Sequence, residues 1–231
     1  MGAGSSHLAE QGFSRSAAAP PAAAPEIPAD AAGRSEKARY VWERFEPILR
    51  GRSILDVGAD RCHLRSYLDG DASYWGIGLG GEPDQLVDLE RRPIPFADRS
   101  FDTVLCLDVL EHLANPHEVV DEVCRVSREH VILSFPNPWG DVYRALRRGA
   151  YRPDLAVKYY GLPAERPLDR HKWFFSASEA RSFAAARAAA NGFDVVEATS
   201  MGHVPSRWKH PLASLAEWVL FRDGAGRDDL H

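Results

Sequence analysis

Ile54-Leu55-Asp56-Val57-Gly58-Ala59-Asp60 is the stretch on which the reading of this chain turns. A short apolar run carries one acidic residue and breaks at a glycine, which predicts a strand followed by a tight turn. Ligands of open parallel sheets collect at the carboxyl ends of such strands. Gly58 lets the backbone approach a ligand closely, and the neighbouring carboxylate can receive an ammonium directly or through water. Taken alone, the stretch is also compatible with an ordinary strand-to-helix turn.

The stretch lies in the run Ser53–Val57, and further runs of strand length follow it at Tyr74–Leu79, Leu86–Leu89, Phe101–Leu107 and His130–Phe135. Most are continuously apolar rather than alternating, as expected of parallel strands covered on both faces. Helical spacing separates them. Val41, Phe45, Ile48 and Leu49 precede a stop at Gly51, and Val119, Val120 and Val123 share one face of Pro116–Val126. Ser176-Ala-Ser-Glu179 reads as a capping box opening an alanine-rich helix that ends at Asn191-Gly192, with a strand at Phe193–Ala198. Met201–Asp223 reads as a terminal strand or helix. The expected fold is α/β: a Rossmann-like, doubly wound, mostly parallel sheet with helices on both faces.

Composition bounds the rest. Residues 1–33 are dominated by Ala, Pro, Gly and Ser, too poor in large apolar side chains to offset ordering entropy, and read as a disordered tail. The folded domain is expected over 34–231, with a lid or acceptor insertion at about 139–172. The chain has 231 residues and a net charge of −5, which argues against a general nucleic-acid binder. Its three cysteines, Cys62, Cys106 and Cys124, are an odd number without CxxC spacing and suggest a reducing compartment. With neither a membrane-length apolar run nor the pattern of a secretory signal, the expectation is a cytoplasmic protein.

The order of the remaining motifs is specific as a set. Asp88-Leu89 follows the third strand. Ile94-Pro95-Phe96-Ala97-Asp98-Arg99-Ser100-Phe101-Asp102 leads into Leu107-Asp108-Val109-Leu110-Glu111-His112, and Val131–Asn137 closes the core. This series resembles the class I S-adenosylmethionine-dependent methyltransferases, in particular their small-molecule, methyltransferase type 11-like branch. The likeness covers residues 52–137 well and extends more loosely to about 198. It implies S-adenosylmethionine as cofactor. Asp56, Gly58, Ala59 and Asp60 would border its methionine portion, and Gly78 and Leu79 would stand at the ribose position. Asp88 and Leu89 would meet the adenine, and Leu107 and Asp108 would lie beside the reactive end.

Two departures stand out. Asp60 and Cys62 occupy the second and third positions of the family's G-x-G-x-G turn. Gly78 replaces the acidic residue that grips the ribose hydroxyls, a loss worth about 1.5–3 kcal/mol that Glu82 or Asp84 could offset. These departures keep open a non-catalytic, methyltransferase-fold binding or partner protein. The complete G-x-G-x-x-G fingerprint of a nicotinamide-dependent dehydrogenase is absent.

Asp108, Glu111 and His112 stand at i, i+3 and i+4, which on a helical turn would project from one face. The pattern is similar to the E-x-x-E-H of metal-assisted O-methyltransferases, including small-RNA enzymes, and His171 falls where those enzymes supply a further histidine. A divalent metal such as Mg²⁺ or Mn²⁺ is one reading. Metal-free loop fixing is the commoner role of such a triplet and is the one adopted. His171, then His112, are the candidate general bases. Trp139, Tyr143, Tyr151, Tyr159, Tyr160, Trp173, Phe174 and Phe175 could wall an apolar acceptor pocket. Arg144, Arg147, Arg148 and Arg152 are either a solvated face or a grip on an anionic acceptor. The expected activity is methyl transfer to a small-molecule acceptor, most readily at oxygen.

Overall fold

The structure is a computed structural model that describes residues 34–139, 142, 164–165, 170–201 and 216–224. The expected tail at 1–33, most of the 139–172 insertion with its tyrosines and arginine cluster, and the segments 202–215 and 225–231 lie outside the described residues.

Seven strands form one sheet in the order β3-β2-β1-β4-β5-β7-β6. They are β1 Ser53–Val57, β2 Ser73–Gly78, β3 Gln85–Leu86, β4 Phe101–Leu107, β5 Ser127–Pro136, β6 Phe193–Met201 and β7 Ala216–Asp223. The first five run parallel; β7 is antiparallel to both β5 and β6. The order reverses between β1 and β4, the topological switch point where open α/β sheets bind ligands.

Strand alternation divides the core into two layers. Leu55 and Val57 of β1, Val104 and Cys106 of β4, and Val131, Leu133 and Phe135 of β5 face α2 (Pro116–Val126) and α3 (Ala177–Ala190). Ile54, Leu105, Ile132 and Trp218 face the other way, onto α1 (Arg34–Leu49), where they meet Tyr40, Val41, Phe45 and Leu49. Thr103, fully buried in β4, satisfies its hydroxyl by donating to the Ile48 carbonyl at 2.7 Å. Trp218 stacks obliquely on Tyr40 at 5.5 Å and binds β7 to α1.

Several elements match the sequence pattern residue for residue: β1, β4, α2 and the helix that the Ser176–Glu179 box opens. Ser176 Oγ accepts from the Glu179 amide at 3.2 Å, and Glu179 Oε2 accepts from the Ser176 amide at 2.7 Å. Gly51 ends the first helix with φ +64°. One strand boundary is corrected. The third strand covers Gln85–Leu86 rather than Leu86–Leu89: after Val87 donates to the Gly78 carbonyl, the chain curls at Asp88, whose carbonyl accepts from Arg91 and Arg92. Between β1 and β2 stands only a 3-10 turn, His63–Tyr67, where a doubly wound fold would place a full crossover helix.

Leu105 is fully buried at the centre of this arrangement. Leu105→Ala is expected to lower unfolding free energy by about 2–5 kcal/mol in urea titrations. Ser176→Ala, which removes one half of the exposed capping box, is expected to cost about 1 kcal/mol in the same measurement.

Candidate functional site

Period two also places the polar groups. Asp56 lies on the α1 face of β1 at the carboxyl edge, and Ser134 lies on that face of β5. Asp56 is buried and accepts a hydrogen bond of 2.5 Å from the Tyr74 hydroxyl of β2. Burial pushes its carboxyl pKa up to about 6, against the opposing pull of that donor. Burial, with the Asp56 charge beside it, also raises the Tyr74 hydroxyl, which keeps it a donor.

The turn after β1 folds down onto β2, because the Gly58 and Ala59 amides both donate to the Ile77 carbonyl, at 2.7 and 3.0 Å. Gly58 has φ +81°, and a Cβ there would come within 2.2 Å of Val109 Cγ2. The glycine is therefore demanded by backbone geometry and by the loop after β4. Asp60 follows in the left-handed region and forms an ion pair with Arg34 in the first turn of α1.

Gly78 is the place where the ribose carboxylate is missing. The atoms nearest to a Cβ on Gly78 would be backbone atoms of Gly58 and Ala59, at 3.6 Å and beyond, so the strand end has room for a Cβ and lacks one. Of the two expected substitutes, Asp84 is committed elsewhere: its Oδ2 accepts from the Gly76 amide at 2.7 Å and pairs with Arg65. Glu82 is exposed, and its amide donates to the Asp60 carbonyl. Gly81 abuts Asp60 so closely that a Cβ would lie 2.5 Å from the Asp60 carboxylate. The loop after β2 thus brings Asp60 to the Gly78 side of the crevice, a contact with no signal in the residue spacing. Leu79 protrudes beside it, 71% exposed. Asp88 is half-buried and accepts from the Glu90 amide, and Leu89 is buried in the core.

At the end of β4, Asp108 adopts φ +52°. Its amide donates to the Ser134 carbonyl, its Oδ1 accepts from Ser134 Oγ at 2.7 Å, and its Oδ2 pairs with Lys37 of α1. The expected one-face triplet therefore does not form. The left-handed residue turns the chain before the 3-10 turn Leu110–His112 begins, so Asp108 parts from Glu111 and His112.

Those two residues instead meet His171. One ligand atom from each of Glu111, His112 and His171 lies within 4.8 Å of the others. The His112 and His171 rings pack edge to face at 4.5 Å, and Glu111 Oε1 is 3.6 Å from His112 Nε2. Glu111 and His171 are buried, whereas His112 keeps about a quarter of its side chain exposed. The strap carrying His171 is laid onto the turn by the Lys172 amide, which donates to the Glu111 carbonyl at 2.7 Å. The Trp173 indole N–H adds a bond to the Leu113 carbonyl, and Lys172 pairs with Glu90. Trp139 and Phe174, both partly exposed, pack edge to face at 4.6 Å beyond the end of β5. Phe175 turns inward against Phe135.

Comparison with known proteins agrees with this architecture. A family model described as a methyltransferase domain matches residues 80–135. An uncharacterized methyltransferase of Mycobacterium tuberculosis is 28% identical over 161 residues, covering 61% of this chain and 63% of the relative. The chain thus spans less than two thirds of the length of the curated relatives it matches. Among solved structures, the methyltransferase domain of bacterial CtHen1-C superposes with TM-score 0.55 at 16% identity, covering 82% of this chain and 98% of that one. Magnesium protoporphyrin IX methyltransferase from Synechocystis PCC 6803 superposes with TM-score 0.54 at 16% identity, covering 84% and 85%. At that identity the structural likeness speaks to the fold alone. No helix among the described residues is long and apolar enough to cross a membrane. Strand order is that of the class I S-adenosylmethionine-dependent methyltransferase fold, and the sequence matches are to methyltransferase-domain proteins.

Proposed function

We propose that the protein transfers a methyl group from S-adenosylmethionine to a small-molecule acceptor, with oxygen as the preferred atom. The observation that carries this reading is the crevice at the β1/β4 switch point. There, Asp56, Asp60 and Asp108 surround a turn that requires glycine at position 58. Such a rim suits a cationic, nucleoside-bearing ligand. Asp56, Gly58 and Ala59 would hold the methionine portion, and Asp60 would approach the ribose where Gly78 has no side chain. Leu79, Asp88 and Leu89 would border the adenine, and Leu107 and Asp108 the reactive end. When bound, the sulfonium supplies the methyl group together with its leaving group. The protein's part is then alignment of the acceptor and removal of its proton.

For the proton, the imidazole pair is the available machinery. His112, second to His171 in the sequence-based order, is taken first here because its side chain is partly exposed and would meet an acceptor, while the buried His171 and Glu111 pack against its ring. Trp139 and Phe174 supply apolar surface for an uncharged part of the acceptor. The acidic balance of the chain favours a small molecule over RNA.

A second reading follows from the Glu111, His112 and His171 grouping, whose oxygen and imidazole donors fit a divalent ion. Such an ion would polarise the acceptor oxygen at that point. Calorimetric titration with Mn²⁺, with and without prior chelation, distinguishes it: heat of binding lost in His171→Ala supports the ion, and no heat in the wild type removes it.

Titration with S-adenosylmethionine and S-adenosylhomocysteine is expected to give micromolar or tighter binding. No binding at high micromolar concentration would leave the chain a non-catalytic member of its fold. With an acceptor in hand, His112→Ala is expected to lower kcat by about 10²–10⁴-fold. His171→Ala is expected to lower it less, and turnover unchanged in both variants would sink the proton assignment.

Asp56 makes binding pH-dependent. Its carboxyl is held at about 6 in the folded chain and titrates near 4 in an unfolded one. Between those values the folded state binds the extra proton, so stability falls as pH rises through the window. A cofactor ammonium needs the ionised form, so affinity for S-adenosylhomocysteine moves the opposite way. It should be about tenfold weaker at pH 5 than at pH 7. Asp56→Asn should bind weakly and without this dependence.

A further inference from the structure

Glu90 stands between the two halves of the site. It follows Asp88 and Leu89, the pair assigned to the adenine, on a turn in which the Asp88 side chain accepts from the Glu90 amide at 3.1 Å. Its own carboxylate reaches the other way. Oε1 accepts from the Ala114 amide at 2.7 Å, just past the Leu110–His112 turn, and pairs with the Lys172 ammonium on the strap that carries His171. A second tie runs beside the first: the Asn115 side-chain amide donates to the Leu89 carbonyl at 3.0 Å. The Lys172 ammonium and the Ala114 amide hold the Glu90 carboxyl below its ordinary range, so the pair is ionised at neutral pH.

The strap itself is held at three points. The Lys172 amide donates to the Glu111 carbonyl at 2.7 Å, the Trp173 indole N–H donates to the Leu113 carbonyl at 2.6 Å, and the Lys172 ammonium pairs with Glu90. The first two end on the turn that bears His112 and its exit; the third ends on the adenine side. Lys172 therefore bonds the histidine turn through its backbone and the cofactor side through its side chain. We propose that Glu90 is a positioning residue that makes the histidine strap answer to the cofactor. Adenine fixes the Asp88–Glu90 turn, Glu90 holds Lys172, and Lys172 holds His171 against Glu111 and His112. The acceptor side is then complete only once the cofactor is seated, which sets the order of binding as cofactor first and acceptor second. The Lys172 and Glu90 side chains are 40% and 37% exposed, and such a pair biases an equilibrium by about 1.5- to 5-fold. A tie of that strength suits a strap that opens again to release product. The proposal rests on the methyltransferase reading above.

The test needs no acceptor. Hydrogen exchange followed by NMR on the full chain reads the strap directly, because the Lys172 amide is itself the bond to Glu111. Saturating S-adenosylhomocysteine is expected to slow exchange of the Lys172 amide and the Trp173 indole N–H by about 2- to 5-fold. Glu90→Gln keeps an oxygen for the Ala114 amide and loses the charge, whereas Lys172→Met removes the ammonium and leaves the adenine turn intact. Both variants should bind S-adenosylhomocysteine within about fivefold of the wild type, the reciprocal of the coupling, with strap exchange that no longer responds to it. Lys172→Arg should restore the response. If Glu90→Gln is unstable, the exposed Lys172→Met carries the comparison. A tie that is merely structural would speed exchange in the variants and leave the ligand's effect in place, and that result overturns the proposal. A wild-type strap that ignores bound S-adenosylhomocysteine overturns it as well. A wild-type chain that does not bind S-adenosylhomocysteine overturns the methyltransferase reading itself, and this proposal with it.

Discussion

The three central strands have no exposed face, and the rest of the molecule follows from that constraint. Leu55, Val104 and Leu133 are covered by α2 and α3, and Ile54, Leu105 and Ile132 are covered by α1. A polar side chain within these strands must find a partner inside, as Thr103 does, or lie where the sheet ends. The carboxyl edge is the place where the chain leaves the sheet and backbone groups become available. Asp56, Asp60 and Asp108 collect there because burial elsewhere would leave them uncompensated. Chemistry at the edge and stability in the middle are two consequences of the same two-sided cover.

Three features near the crevice adopt conformations that apolar packing would not choose. Asp60 and Asp108 both have positive φ without being glycine, and Asp56 is buried with a carboxyl held near neutrality. Non-glycine residues in the left-handed region cost of order 1 kcal/mol and persist where the surroundings over-determine them. Here the surroundings are identifiable. Ser134 grips Asp108 by hydroxyl and carbonyl, and Gly81 presses against Asp60. The ion pairs to α1 add to both. A helix that looks purely structural in its apolar stripe thus shapes the site through its first turn.

Much of the sheet was legible in the residues because continuous apolar runs between helical patterns have few alternative packings. β1, β4, α2 and the capped α3 fall where periodicity and capping chemistry place them. The third strand and the first crossover were less legible. A two-residue strand carries almost no periodic signal, and a five-residue 3-10 turn is too short to carry one. At the site, spacing mistook the grouping of Asp108, Glu111 and His112, because an i, i+3, i+4 pattern signals one face only if the helix starts at the first residue. Asp108 stands just before the turn, in a left-handed conformation, and that single dihedral separates it from the other two. Of the proposed ribose substitutes, Asp84 is drawn inward by the Gly76 amide, a bond invisible to composition.

By itself, the sequence determined the class of fold and the edge at which ligands bind. Alternation of buried and polar positions is a local property, and the glycine turn after β1 fixes which end opens. Which side chains meet there was decided by tertiary structure. His171 reaches Glu111 and His112 across about sixty residues because the Lys172 amide and the Trp173 indole tie the strap to the Leu110–His112 turn. Lys37 reaches Asp108 because Trp218 of the last described strand props α1 over the crevice. Neither meeting has a sequence signature: side-chain neighbours separated by tens of residues are set by how layers pack, and packing is a property of the whole chain.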